Sequence, residues 1–130
     1  MTLLVRMAIP YDDKALKVDL VVHGVAIVSG LTFPGAYATT FVMMFSVSAA
    51  YNAWPRTAIK RLLWRLDHCS IVCFALTACA LFRWVPLPLL CGSLIYLGGA
   101  VFLLWTSLRF HNAIWHGFVL AAAATHATAI

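Results

Sequence analysis

The chain has 130 residues, of which 64% are hydrophobic and only 10% charged, and its mean hydropathy is +0.94. A soluble domain of this length is about half apolar and a quarter charged and buries only about two-thirds of its surface, so lipid must solvate most of this chain. The net charge of +5 does not point to nucleic acid, because nine basic residues scattered among apolar runs make no basic face.

A helix that crosses the hydrocarbon needs about 20 mostly apolar residues. Met1 to Pro10 carry a short apolar patch and Arg6 without the pattern of a cleaved signal peptide, which leaves the first span as the insertion signal. That span is predicted over residues 18–33, with Lys14, Lys17 and Asp19 marking its start, and Phe33-Pro34-Gly35 is a turn signal that ends it. A second span covers 36–53 and closes at Trp54-Pro55. The polar stretch Arg56 to Arg65 interleaves four cations with Leu62, Leu63 and Trp64, the pattern of a short helix lying in the interface. Further spans cover 66–84, 88–107 and 112–130.

The resulting expectation is an all-α integral membrane bundle of about five transmembrane helices in one domain, residues 1–130. Placing Arg56–Arg65 in the cytoplasm puts Arg6, Lys14, Lys17 and Arg109 there too, leaving Arg83 outside. The N-terminus is then cytoplasmic and the protein a multi-pass component of the inner membrane. Trp54, Trp84 and Trp105 fall near the predicted boundaries, as an aromatic belt requires. Cys69, Cys73, Cys79 and Cys91 lie in apolar runs without metal or disulfide spacing and read as small hydrophobes. Gly98-Gly99-Ala100 and Ala121 to Ala124 are small-residue faces on which helices approach closely, in this chain or in partner membrane subunits.

Ionisable groups inside a membrane are costly and mark candidate sites. Asn52, Asp67, His68, Asn112 and His116 all fall near the cytoplasmic ends of their spans. Ser48 shares a helix face with Asn52, and Asn112 shares one with His116. The five residues Ser48, Asn52, Asp67, Asn112 and His116 are therefore expected to form a polar cluster across helices, with an Asp67–His116 pair at its centre. His23 and His126 are expected to be packed and hydrogen-bonded.

Three stretches carry a family resemblance. Ser48-Ala-Ala-Tyr51-Asn52, Pro55-Arg56 and Lys60-Arg61-Leu-Leu-Trp-Arg65-Leu66-Asp67-His68 resemble the hemolysin III proteins, which group with the progestin and adipoQ receptors. So do Asn112-Ala-Ile-Trp115-His116-Gly-Phe118 and Val22-His23-Gly24. The resemblance implies a seven-helix bundle shortened here by two helices after Phe82. It also implies zinc held by three histidines, an aspartate holding a zinc-bound water, and activity on lipid amides. The pattern is Ser-x-x-x-His, Asp-His and His-x-x-x-His; this chain keeps Ser48, Asp67 and His116 but has Asn52 and Asn112 at two ligand positions.

Catalytic zinc sites generally take three protein ligands from imidazole, thiolate or carboxylate, and amide oxygens suit harder cations. His111 lies about 140° round the helix from His116, and His68 about 100° from Asp67. The expectation is therefore a non-catalytic structural or accessory subunit of a membrane complex, binding no cofactor. The alternative is a metal-dependent hydrolase of lipid amides. In it, His116 with His68 or His111 holds zinc, Asp67 orients the water and Ser48 supports them.

Overall fold

The computed structural model of the chain describes residues 12–55, 57–82 and 87–130; the expectations for Arg6, Arg56, Arg83 and Trp84 lie outside the described residues. Within the described residues there are five helices and no strand: α1 (Asp13–Gly30), α2 (Gly35–Ala53), α3 (Ala58–Leu81), α4 (Leu87–Leu104) and α5 (His111–Ala127).

Local chemistry sets the ends. Asp12 caps α1 by accepting a hydrogen bond from the Lys14 backbone N–H at 3.2 Å, so the helix begins five residues before the predicted span. Pro34 is extended, and Gly35, at φ +45°, takes the left-handed conformation that lets α2 start at once. Trp54, held extended ahead of Pro55, ends α2. Lys60 Nζ donates to the Trp54 carbonyl at 3.1 Å, satisfying one acceptor at that helix end.

The expected interfacial helix over Arg56–Arg65 is not separate. No glycine or proline interrupts the sequence from Ala58 to Leu81, so Arg61 and Arg65 ride on the first turns of one 24-residue helix. At 1.5 Å per residue it is about 36 Å long. By length and composition α3 and α4 can each cross a membrane.

The helices are ordered by contact as α3, α2, α1, α5, α4. Tyr37, Phe41, Phe45, Phe74, Val119 and Ala123 form the apolar core between α2, α3 and α5. There the Tyr37 hydroxyl donates to the Ala123 carbonyl at 2.9 Å. Gly30 lets the Phe41 ring lie against α1. Gly92 and Gly99 receive the His126 ring and Phe118, which draws α4 onto α5. These small-residue faces are thus used within the chain.

Burial is inverted relative to a soluble protein. Leu76, Leu87, Leu94, Leu97 and Leu104 each expose more than 60% of their surface, while Asp19, His23, Ser48, Asp67, Ser70 and His116 are buried. Hydroxyls on outer faces, such as Ser46, Thr77 and Ser93, donate to the carbonyl four residues back, so they need no water. Cys69, Cys73, Cys79 and Cys91 are unpaired and exposed.

Candidate buried polar centre

One face of α1 turns its only internal acid inward. Asp19 and His23, four residues apart, share that face, and both are almost completely buried. His23 Nδ1 sits 2.7 Å from the Asp19 backbone carbonyl and 3.6 Å from the Asp19 carboxylate. The first contact requires a proton on Nδ1, since a carbonyl oxygen only accepts. His23 Nε2 is buried and has no hydrogen-bond partner.

α5 supplies the second imidazole. His116 Nδ1 lies 2.7 Å from Asp19 Oδ1, and its ring centroid is 4.1 Å from that of His23. The other Asp19 oxygen accepts from Asn112 Nδ2 at 3.1 Å. Asn112 also donates to Asn52 Oδ1 at 3.5 Å, and Asn52 Nδ2 donates to the Ser48 carbonyl at 2.9 Å. On its far side His116 Nε2 is 3.5 Å from Ser48 Oγ. A hydrogen-bonded line therefore runs from α1 through α5 to α2.

Ser48, Asn52, Asp67, Asn112 and His116, the five residues expected to cluster, all line one cavity of about 160 Å³. Its other walls are largely apolar, from Met44, Phe45, Ile71, Tyr96 and Val119. A void of that size holds a benzene-sized group when dry. Asp67 Oδ1 is buried without a hydrogen-bond partner.

The pairing inside the cluster differs from the expected one. The carboxylate on His116 belongs to Asp19, because α1 packs directly on α5, whereas Asp67 shares only the cavity wall with His116. In the sequence Asp19 reads as a boundary charge beside Lys17, whereas the fold buries it. Its signal was the Asp19-x-x-x-His23 spacing inside an apolar run.

His68 lines the cavity with its Nδ1 against the Trp64 carbonyl at 2.8 Å. His111 caps the turn before α5 with Nδ1 at 2.8 Å from the Leu108 carbonyl. His126 packs on Gly92 and bonds the Leu89 carbonyl at 3.2 Å, as expected. Among the described residues, the group of three possible metal ligands is Asp19, His23 and His116, whose ligand atoms lie within 4.8 Å of one another.

A surface tie closes the α1 end. Arg109 pairs with Asp12, and its hydrogen bond to the carboxyl holds Asp12 below the usual carboxylate range.

Comparison with known proteins gives short local similarities. The chain is 53% identical over 36 residues to hemolysin-3 of Bacillus cereus, covering 28% of the chain and 16% of that protein. It is 46% identical over 33 residues to a hemolysin-3 homolog of Bacillus subtilis (strain 168), covering 25% of the chain and 16% of the relative. The matched stretch is thus under one-fifth of each relative's length. No protein-family model matches the chain, and no solved structure matches it. The similarity to hemolysin-3 is partial and local, and it agrees with the resemblance read from the motifs.

The zinc that this resemblance implies does not fit its own ligand positions here. Asn52 and Asn112 hold amides where the pattern has imidazoles. Those amides are engaged with each other, with the Ser48 carbonyl and with Asp19. Of the three patterned ligands only His116 remains, which is too few for a catalytic zinc site at the cavity.

Proposed function

We propose that the chain is a hemolysin III-like, multi-pass inner-membrane protein that acts as a non-catalytic structural or accessory component. The observation that carries this reading is the amide pair Asn52–Asn112. It occupies two metal-ligand positions and turns them into hydrogen bonds between helices. Such bonds between membrane helices contribute about 0.6 kcal/mol each, so the cluster serves cohesion where the resemblance implies chemistry. Support for membrane embedding comes from the two span-length apolar helices and from the inverted burial of leucines and acids. The positive-inside distribution sets the orientation, with α3's basic first turns in the cytoplasm. Partner subunits would meet the exposed leucine faces of α3 and α4, since the glycine faces are used internally.

The test is reconstitution of the purified chain in lipid nanodiscs with a long-chain lipid amide as substrate. No release of free fatty acid above protein-free nanodiscs is expected. Turnover that disappears in Asp67→Asn would replace this reading with the hydrolase alternative.

A further inference from the structure

We infer that Asp19, His23 and His116 form a binding site for a single divalent transition-metal ion of the zinc or cobalt class, behind the cavity wall that His116 forms. Three observations converge on it. The ligand atoms of the three residues lie within 4.8 Å of one another, so small side-chain shifts bring them to coordination distances of about 2.0–2.2 Å. His23 is only 1% exposed and its Nε2 has no partner. A buried imidazole nitrogen without a partner is costly, and here its Nδ1–H is already held by a backbone carbonyl. That is the arrangement that orients a metal-ligating histidine.

The third observation is charge. Asp19 and Asp67 are both buried, and no lysine or arginine is buried among the described residues. A divalent cation beside Asp19 would set positive charge against a wholly buried carboxylate. Two imidazoles and one carboxylate are borderline donors, which select zinc or cobalt over calcium or magnesium. Asp19 and His23 do not line the cavity. The ion would thus join α1 to α5 as a structural link, and the inference holds whether or not the cavity is catalytic.

The experiment uses the full chain in detergent, purified without a polyhistidine tag. Metal is removed with chelator, and zinc or cobalt is then titrated in. One ion per chain is expected, with a rise in the thermal unfolding midpoint and a cobalt spectrum of nitrogen and oxygen ligands. His23→Gln also loses the ring's bond to the Asp19 carbonyl and its packing on Phe45 and His116, so the variant's own metal-free midpoint is the baseline for its response to metal. The same variant should weaken cobalt binding at least 10-fold and abolish the rise in midpoint. His68→Gln and His126→Gln should bind as wild type. Three results would overturn the site: no metal uptake by the wild type, a thiolate charge-transfer band placing cobalt on the cysteines, or binding that survives His23→Gln and is lost in His68→Gln or Asp67→Asn.

Discussion

Asp19→Asn is the sharpest test of the hydrogen-bonded line. The carboxylate accepts His116 Nδ1–H at 2.7 Å and Asn112 Nδ2–H at 3.1 Å on its two oxygens. An asparagine keeps one acceptor and turns a donor toward another donor, so one of those bonds is lost and an N–H is left facing an N–H. A hydrogen bond to a charged group contributes about 1.5–3 kcal/mol in water-soluble proteins, and bonds between membrane helices lie at about 0.6–1.7 kcal/mol. A loss of about 1–3 kcal/mol is expected.

Asp67→Asn should behave differently. Its carboxyl is buried with one oxygen that has no hydrogen-bond partner, so the substitution gives up no bond at that oxygen and removes a buried ionisable group. Its effect should lie between neutral and stabilising by about 1 kcal/mol. The assay is reversible unfolding in mixed micelles with added chelator, followed by far-UV circular dichroism, so that metal binding does not enter. An Asp19→Asn effect below about 0.5 kcal/mol, or an Asp67→Asn effect as large as that of Asp19→Asn, would refute the assigned direction of the network.

Three further outcomes follow from other parts of the bundle. A Cβ at Gly99 would meet Phe118 at its own Cβ, where no flexible chain can yield, whereas one at Gly117 meets nothing within 4 Å. In the same unfolding assay Gly99→Ala should cost about 1–3 kcal/mol, and Gly117→Ala should gain up to about 1 kcal/mol. The Asp12–Arg109 pair is exposed, and Asp12 is held below its ordinary 3.8 in the folded chain. A carboxyl lowered on folding stabilises above its unfolded value and loses that contribution as pH falls through the folded one. The difference in unfolding midpoint between wild type and Arg109→Gln should therefore shrink below about pH 4 and in high salt. A phosphatase fused after Ile130 should be active outside the cytoplasm, and one inserted after Trp54 inactive, as five crossings from a cytoplasmic N-terminus require.

Much of the fold was legible because apolar runs and their breakers coincide. Pro34-Gly35 and Trp54-Pro55 bound α2 where the sequence places them. The charged stretch before Leu66 misled, because interleaved cations resemble an interfacial helix, yet the absence of any breaker lets α3 run on through it. The five cavity residues were legible from depth and helical periodicity. Which of them pair was not, because that depends on helix neighbours: α1 packing on α5 brings Asp19 to His116 ahead of Asp67. A composition-based scan sees Asp19 as one more boundary charge, and only the fold shows it wholly buried.

The bonds of the centre connect its two halves. Asp19 meets His116 on one oxygen and Asn112 on the other, and His116 Nε2 lies 3.5 Å from Ser48 Oγ. Such an interior solvates charge poorly, and a divalent ion held by Asp19, His23 and His116 would set positive charge against the Asp19 carboxylate. It also engages the one buried imidazole nitrogen that the hydrogen bonds leave out. The amides at positions 52 and 112 fit this arrangement, since neutral donors on the cavity side hold Asp19 in place without adding charge. On this reasoning, zinc affinity of the wild type should fall as pH falls, because an imidazole must be free of its proton at the nitrogen that holds the ion, and calorimetric titrations at several pH values measure it. An affinity unchanged between about pH 8 and pH 5 would remove the two imidazoles from the ligand set.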